Sequence, residues 1–166
     1  SRKFEGPGRT IVSFRSLGIH NLIRLGREQN LRARPPLAEH RHRMPMEICY
    51  LAGGQQTFEI DDRPYRMEGG DVLVSQPGQK HSTGDSPMER ATLYWLLVTL
   101  DSDDGGFLGL EPDEGKQLLE GLSALGTVKF RGTPVLHRCL DDIFTAFFDA
   151  GPFQKTLVKL LVTEFL

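Results

Sequence analysis

Four residues of types that ligate metals or grip polar ligands fall in two short runs. The first run, His40-Arg-His42-Arg-Met-Pro-Met-Glu47-Ile-Cys-Tyr-Leu-Ala-Gly-Gly54, supplies two imidazoles and a carboxylate. The second, Gly70-Asp71-Val-Leu-Val-Ser-Gln-Pro77-Gly78-Gln-Lys-His81, supplies a third imidazole. Histidines at i and i+2 on a strand project to one face, because strand side chains alternate with a period of two. Three imidazoles and one carboxylate suit a divalent metal such as zinc, nickel, iron or manganese. The same groups could equally form the polar lining of a small-molecule pocket.

Short strands must position these residues. Arg9–Ser16, Gly18–Gly26, Glu47–Ala52, Thr57–Ile60, Tyr65–Met67, Asp71–Val74 and Ala91–Leu100 carry β-branched and apolar alternation with glycine or proline punctuation. Gly53-Gly54 reads as a turn between two strands, and Asp61-Asp62-Arg63-Pro64 as the turn of a hairpin between Ile60 and Tyr65. Many short strands with such turns point to a β-barrel or sandwich. After Leu100 the pattern becomes helical. Pro112 with Asp113 and Glu114 opens one helix running to about Leu125, and Thr133-Pro134 opens a second. The segment Phe153–Leu166 reads as a third.

Composition narrows the function. A chain of 166 residues with 39% hydrophobic and 25% charged residues is an ordinary globular domain. It has no apolar run near membrane-spanning length and no signal-peptide pattern. Cys49 and Cys139 are isolated, outside any CxxC motif, so a reduced cytoplasmic protein is expected. A net charge of −2 argues against the chain as a whole being a nucleic-acid-binding surface. The basic stretch before Arg34 and the acidic stretch from Asp101 to Glu120 read as solvated faces.

Further ligand-facing candidates are Arg24, Tyr50 and Trp95. Tyr94 and Trp95 alternate on their strand, so one of them faces inward, where an aromatic ring beside imidazoles would grip a small amphipathic ligand. Trp95 could instead fill the core with Leu93 and Leu97 on its face. The apolar stripes of the helices, Leu118, Leu119, Leu122 and Leu125, then Leu136, Leu140 and Ile143, with the Phe144, Phe147 and Phe148 group, could cover the barrel or meet a second subunit.

The spacing His-x-His-x4-Glu-x6-Gly, followed by Gly70-Asp71 and the Pro77-Gly78 turn before His81, resembles the two motifs of the cupin superfamily. It departs from them in lacking a glycine ahead of His40. Over nearly the whole chain, Glu47–Gly54, Phe58–Tyr65, Glu68–Val74, His81 and Leu93–Leu96 resemble the N-terminal effector domain of the AraC family of bacterial transcriptional regulators. The resemblance implies a mainly β fold with C-terminal α structure: a cupin-like antiparallel barrel over residues 1–100 and a helical dimerisation segment over 101–166. It implies a non-enzymatic sensor of a small molecule, such as a sugar or small organic acid, lined by Arg24, His40, His42, Glu47, Tyr50, His81 and Trp95. It further implies a homodimer through the helices, and DNA contact through a separate helix-turn-helix domain beyond Leu166. The unterminated last helix and the initial Ser1 agree with a chain taken from a longer protein. The alternative is a metal-dependent cupin enzyme, of dioxygenase or isomerase type, holding its metal on His40, His42, Glu47 and His81.

Overall fold

A computed structural model describes residues 4–6, 8–101 and 106–166. Most of the predicted Asp101–Gly106 loop lies outside the described residues. Ten antiparallel strands precede or interleave with three helices: β1 (Phe4–Gly6), β2 (Arg9–Ser13), β3 (Leu22–Asn30), β4 (His40–Arg41), β5 (Pro45–Ile60), β6 (Arg63–Glu68), β7 (Asp71–Ser75), β8 (Lys80–Ser82), β9 (Ala91–Thr99) and β10 (Val128–Arg131). The helices are α1 (Pro112–Ala124), α2 (Pro134–Phe148) and α3 (Gln154–Phe165). The mainly β, antiparallel fold with C-terminal helices is thus as expected.

Strand β5 organises the sheet. Its first half pairs with β9 and β7, placing it in the row β1-β2-β3-β9-β5-β7-β10. Its second half pairs with β6 and β8, and β8 in turn pairs with β4. The expected Gly53-Gly54 turn is a bulge within this one strand. The pairing steps from Leu51 opposite Leu93 to Gly53 opposite Thr92, so Ala52 is the extra residue and the strand bends there. Gly54 takes φ 84°, and a Cβ at this position would meet the Arg90 carbonyl oxygen at 2.2 Å. The expected hairpin forms, but its turn is Asp61-Asp62 alone, both at positive φ as a type I′ turn requires, and Arg63 and Pro64 already belong to β6.

Near the N-terminus, the predicted Arg9–Ser16 strand stops at Ser13, and Phe14–Leu17 closes into a 3-10 turn ending at Gly18. The next strand is therefore displaced toward the C-terminus, starting at Leu22 and extending to Asn30 rather than spanning the predicted Gly18–Gly26 segment. Strand β10 was not apparent from the sequence; it joins the helical segment to the edge of β7.

The helices cover one face of the sheet. Leu140, Ile143, Phe144 and Phe147 of α2 and Val158, Val162 and Phe165 of α3 pack with Val12, Leu25, Tyr94 and Leu96 in one core. Phe14 meets Phe147 edge-on at 5.8 Å. The other face holds a smaller core of Cys49, Leu51, Phe58, Met67, Leu73 and Leu93. Leu125, placed by the sequence on the α1 stripe, follows the helix and is exposed. No helix among the described residues is long and apolar enough to cross a membrane.

Candidate functional site

Antiparallel pairing brings the histidines together. His40 lies directly opposite His81 across β4 and β8, and their rings stand 4.1 Å apart. His42 follows one residue beyond β4, with ring distances of 5.5 Å to His40 and 5.2 Å to His81. One ring nitrogen from each can be chosen so that all three lie within 4.8 Å of one another. Glu47, near the start of β5, closes the group. Its Oε2 accepts a hydrogen bond from His42 Nε2 at 3.1 Å, and its Oε1 accepts one from Cys49 Sγ at 3.2 Å.

The electrostatics follow from burial and pairing. Burial alone would raise the Glu47 carboxyl, but its contacts with His42, His81 and Cys49, together with the charge on His81, hold it well below the usual carboxylate range. Burial pushes the Cys49 thiol up, and the adjacent carboxylate adds to the shift. His81 is 6% exposed, and neither of its ring nitrogens has a hydrogen-bond partner among the described residues. Glu47 Oε2 stands 3.6 Å from its Nε2, too long for a good hydrogen bond. Burial lowers the His81 basicity, but the carboxylate and the nearby Gln79 backbone outweigh it and raise the value. His40 is oriented from behind: its Nδ1 donates to the Ala38 carbonyl at 3.0 Å, leaving Nε2 as the bare acceptor.

The donor set fits a divalent metal. His81 is a buried imidazole with unsatisfied nitrogens, which a native structure rarely leaves unexplained. His40 has the backbone acceptor that orients metal-bound imidazoles.

His40, His42 and Glu47 lie in the wall of a cavity of about 530 Å³, within the usual range for small-molecule pockets. Cross-strand pairing builds its floor in rows. Arg24, Leu97 and Glu47 form one row, Gly26, Trp95 and Cys49 the next, and Glu28, Leu93 and Leu51 a third. Trp95 lies across Gly26, where a Cβ would sit 2.1 Å from the indole, so only glycine admits the ring. Met88, Phe58 and the Pro35–Ala38 segment complete the apolar wall. A larger outer groove of about 870 Å³ runs along β2 and β3 and shares Ile11 and Arg24 with this cavity, but its lining includes none of His40, His42, Glu47 or Trp95.

Of the residues expected to line a pocket, Arg24, His40, His42, Glu47 and Trp95 border the cavity, and His81 lies in its buried histidine cluster. Tyr50 does not belong there. It faces the helices, with its ring 5.6 Å from His137 and 6.5 Å from Tyr94, because its parity is opposite to that of Glu47 and Cys49.

A sequence model of the AraC-like ligand binding domain matches residues 31–166. The chain belongs to that family. No curated protein matches it. Among solved structures, it is similar to a cupin protein from Bacteroides fragilis, at 21% identity over 63% of this chain and 87% of that one, with a TM-score of 0.46. A predicted oxalate decarboxylase from Thermotoga maritima aligns at 18% identity over 55% and 80%, with a TM-score of 0.44. KdgF from Halomonas sp. aligns at 15% identity over 60% and 88%, with a TM-score of 0.41. The family match begins after β3, so this AraC-like domain draws Arg24, Gly26 and Glu28 from a segment ahead of the matched span.

A second polar group joins the sheet to the helices, and the sequence did not single it out. The Tyr94 hydroxyl donates to Asp141 Oδ1 at 2.6 Å and lies 3.4 Å from His137 Nε2. Arg27 stands 4.0 Å from the same carboxylate and over the Phe144 ring. Burial and the Asp141 carboxylate push the Tyr94 phenol up to about 12, although Arg27 opposes the shift. Alternation from Trp95 could have placed Tyr94 on this face, but nothing local identifies Asp141 as its partner.

Proposed function

We propose that this AraC-like domain is the effector-sensing and dimerisation part of a cytoplasmic transcriptional regulator. Residues 1–100 would bind a small molecule, and residues 101–166 would pair two subunits and pass the signal to a DNA-binding domain elsewhere in the protein. The single observation carrying this reading is that the cavity and the helix seam share the same two strands. Gly26 and Trp95 face the cavity while their neighbours Arg27 and Tyr94 hold Asp141 of α2. A ligand that displaces Trp95 therefore acts on strands already bonded to α2. Such a switch works only to the extent that the ligand binds one arrangement better than the other.

Dimerisation is supported by the outer face of the helices. Phe153 and Leu160 are 75% and 64% exposed, and Leu157 between them is also exposed. A contiguous apolar face of this kind is stabilised by covering it. Sedimentation at tens of micromolar (an order-of-magnitude choice) should show a dimer that Leu160→Glu converts to monomer. Thermal stabilisation by members of a metabolite library tests sensing, and no stabilisation by any member would count against it.

The unsatisfied nitrogens of His81 favour a second reading, in which a divalent metal sits on His40, His42 and His81 with Glu47. When bound, the metal would supply a positive charge able to polarise a ligand oxygen, for sensing or for enzymatic chemistry of the cupin type. Glu47 would then exchange its hydrogen bond with His42 for the cation, and Ala38 would keep His40 oriented. Calorimetric titration with zinc, nickel, iron or manganese should show one site per chain, lost in His81→Ala.

A further inference from the structure

We infer that the ligand of the inner cavity is a small organic acid with an apolar or aromatic body, its carboxylate held by Arg24; this rests on the sensing reading above. The charges of the cavity are the first ground. Three arginines, Arg9, Arg24 and Arg34, border it against two glutamates, Glu28 and Glu47. Both glutamates are already held. Glu28 lies 3.6 Å from Arg9 and 3.2 Å from Arg34, and Glu47 is engaged by His42, His81 and Cys49. The Arg24 side chain, which is exposed, has no hydrogen-bond or ion-pair partner among the described residues. The cavity therefore carries one uncompensated cation before any imidazole is counted.

The second ground is shape. Arg24 stands at the end of the row Arg24, Leu97, Glu47, beside the row occupied by Trp95. A carboxylate on the guanidinium fork would leave the rest of the molecule over Leu97 and the Trp95 ring, facing Pro36 and Phe58. That surface offers stacking and apolar contact and few hydrogen-bond donors, which suits an aromatic or aliphatic body better than a sugar ring. Glu47 lies two strands from Arg24, on the order of 10 Å. An acid reaching that far could also place a hydroxyl or keto oxygen against His40 or His42.

Trp95 is the only tryptophan of the chain, so its fluorescence reports on this cavity directly. Titrations with benzoate and hexanoate, with the neutral benzamide and hexanamide, and with glucose test the assignment. Saturable quenching by at least one acid, roughly tenfold or more tighter than by its amide, is expected from a charge-assisted contact. Arg24→Gln should abolish the preference and Arg24→Lys should retain part of it. Arg15→Gln, altering a residue that borders the outer groove and not this cavity, should leave the preference intact. Amides binding as tightly as acids, a preference surviving Arg24→Gln, or glucose alone binding would overturn the inference while leaving sensing in place. Silence toward all five probes would also overturn it, and sensing would then be decided by the library thermal shifts.

Discussion

Leu96 and Leu97 are adjacent, of one residue type and both buried, yet they meet opposite surroundings. Leu96 packs into the core beneath α2 and α3, whereas Leu97 forms part of the cavity wall beside Glu47. The same division runs along β3 and β9. Arg27 and Tyr94 point to the helices, and Gly26 and Trp95 point to the cavity. On the helix face, side chains fill space and satisfy one another. On the cavity face, space is left open and at least one cation and one imidazole go unpartnered among the described residues. Stability is concentrated on one face of a sheet and recognition on the other, at a separation of one residue.

The largest effect that should sharpen this contrast comes from truncating the two leucines. Leu96→Ala opens a hole in a closed core and should lose about 4–5 kcal/mol, whereas Leu97→Ala only enlarges an existing cavity and should lose about 2 kcal/mol. Urea denaturation measures both, and equal losses would break the contrast. Next in size is Gly26→Ala. The added methyl collides with the indole of Trp95, so an overpacking cost of about 1–3 kcal/mol and a shifted Trp95 emission maximum are expected. An unshifted emission would mean that the ring has room to spare.

Smaller still is Tyr94→Phe. Asp141 is half-exposed and can turn to water, so losing the hydroxyl should cost only about 1 kcal/mol and leave Trp95 emission unchanged. The least disruptive test is alkaline titration of the phenols by ultraviolet absorbance. The folded value for Tyr94 is raised from 10.0 to about 12, so its bond to Asp141 stabilises the fold fully below pH 10 and is lost as pH rises through 12. Burial raises Tyr50 as well, but Tyr94 should be the last of the three tyrosines to ionise, and Tyr94→Phe should delete that last phase. A titration curve unchanged by the substitution would argue against the bond.

Much of the cavity was legible in the sequence because its logic is local. A period of two puts His40 and His42 on one side, and the paired runs bring His81 opposite them. The same parity, counted from Glu47, assigns Tyr50 to the other face, so its expected place in the pocket was an avoidable error. The double glycine at 53 and 54 misled for a physical reason. A left-handed glycine serves a turn and a bulge equally well, and only the pairing of Leu51 and Gly53 with β9 distinguishes them. Strand β10 escaped notice because Lys129, Phe130 and Arg131 are exposed and leave no buried face to read. Arg24 could be named as a ligand-facing candidate, but its proximity to Leu97 and Trp95 is a matter of which strands lie side by side, which no local pattern shows.

The bent strand β5 has a consequence for how the molecule comes apart. Its sixteen residues run without interruption through both parts of the sheet. Neither part can peel away as a separate cooperative unit without dragging the shared backbone out of its partners. Glu47 and Ile60, opposite His81, belong to that one strand, so the two sides of the histidine cluster are melted by a single event. The cluster should therefore persist until the whole barrel opens, whatever local breathing occurs at its rim.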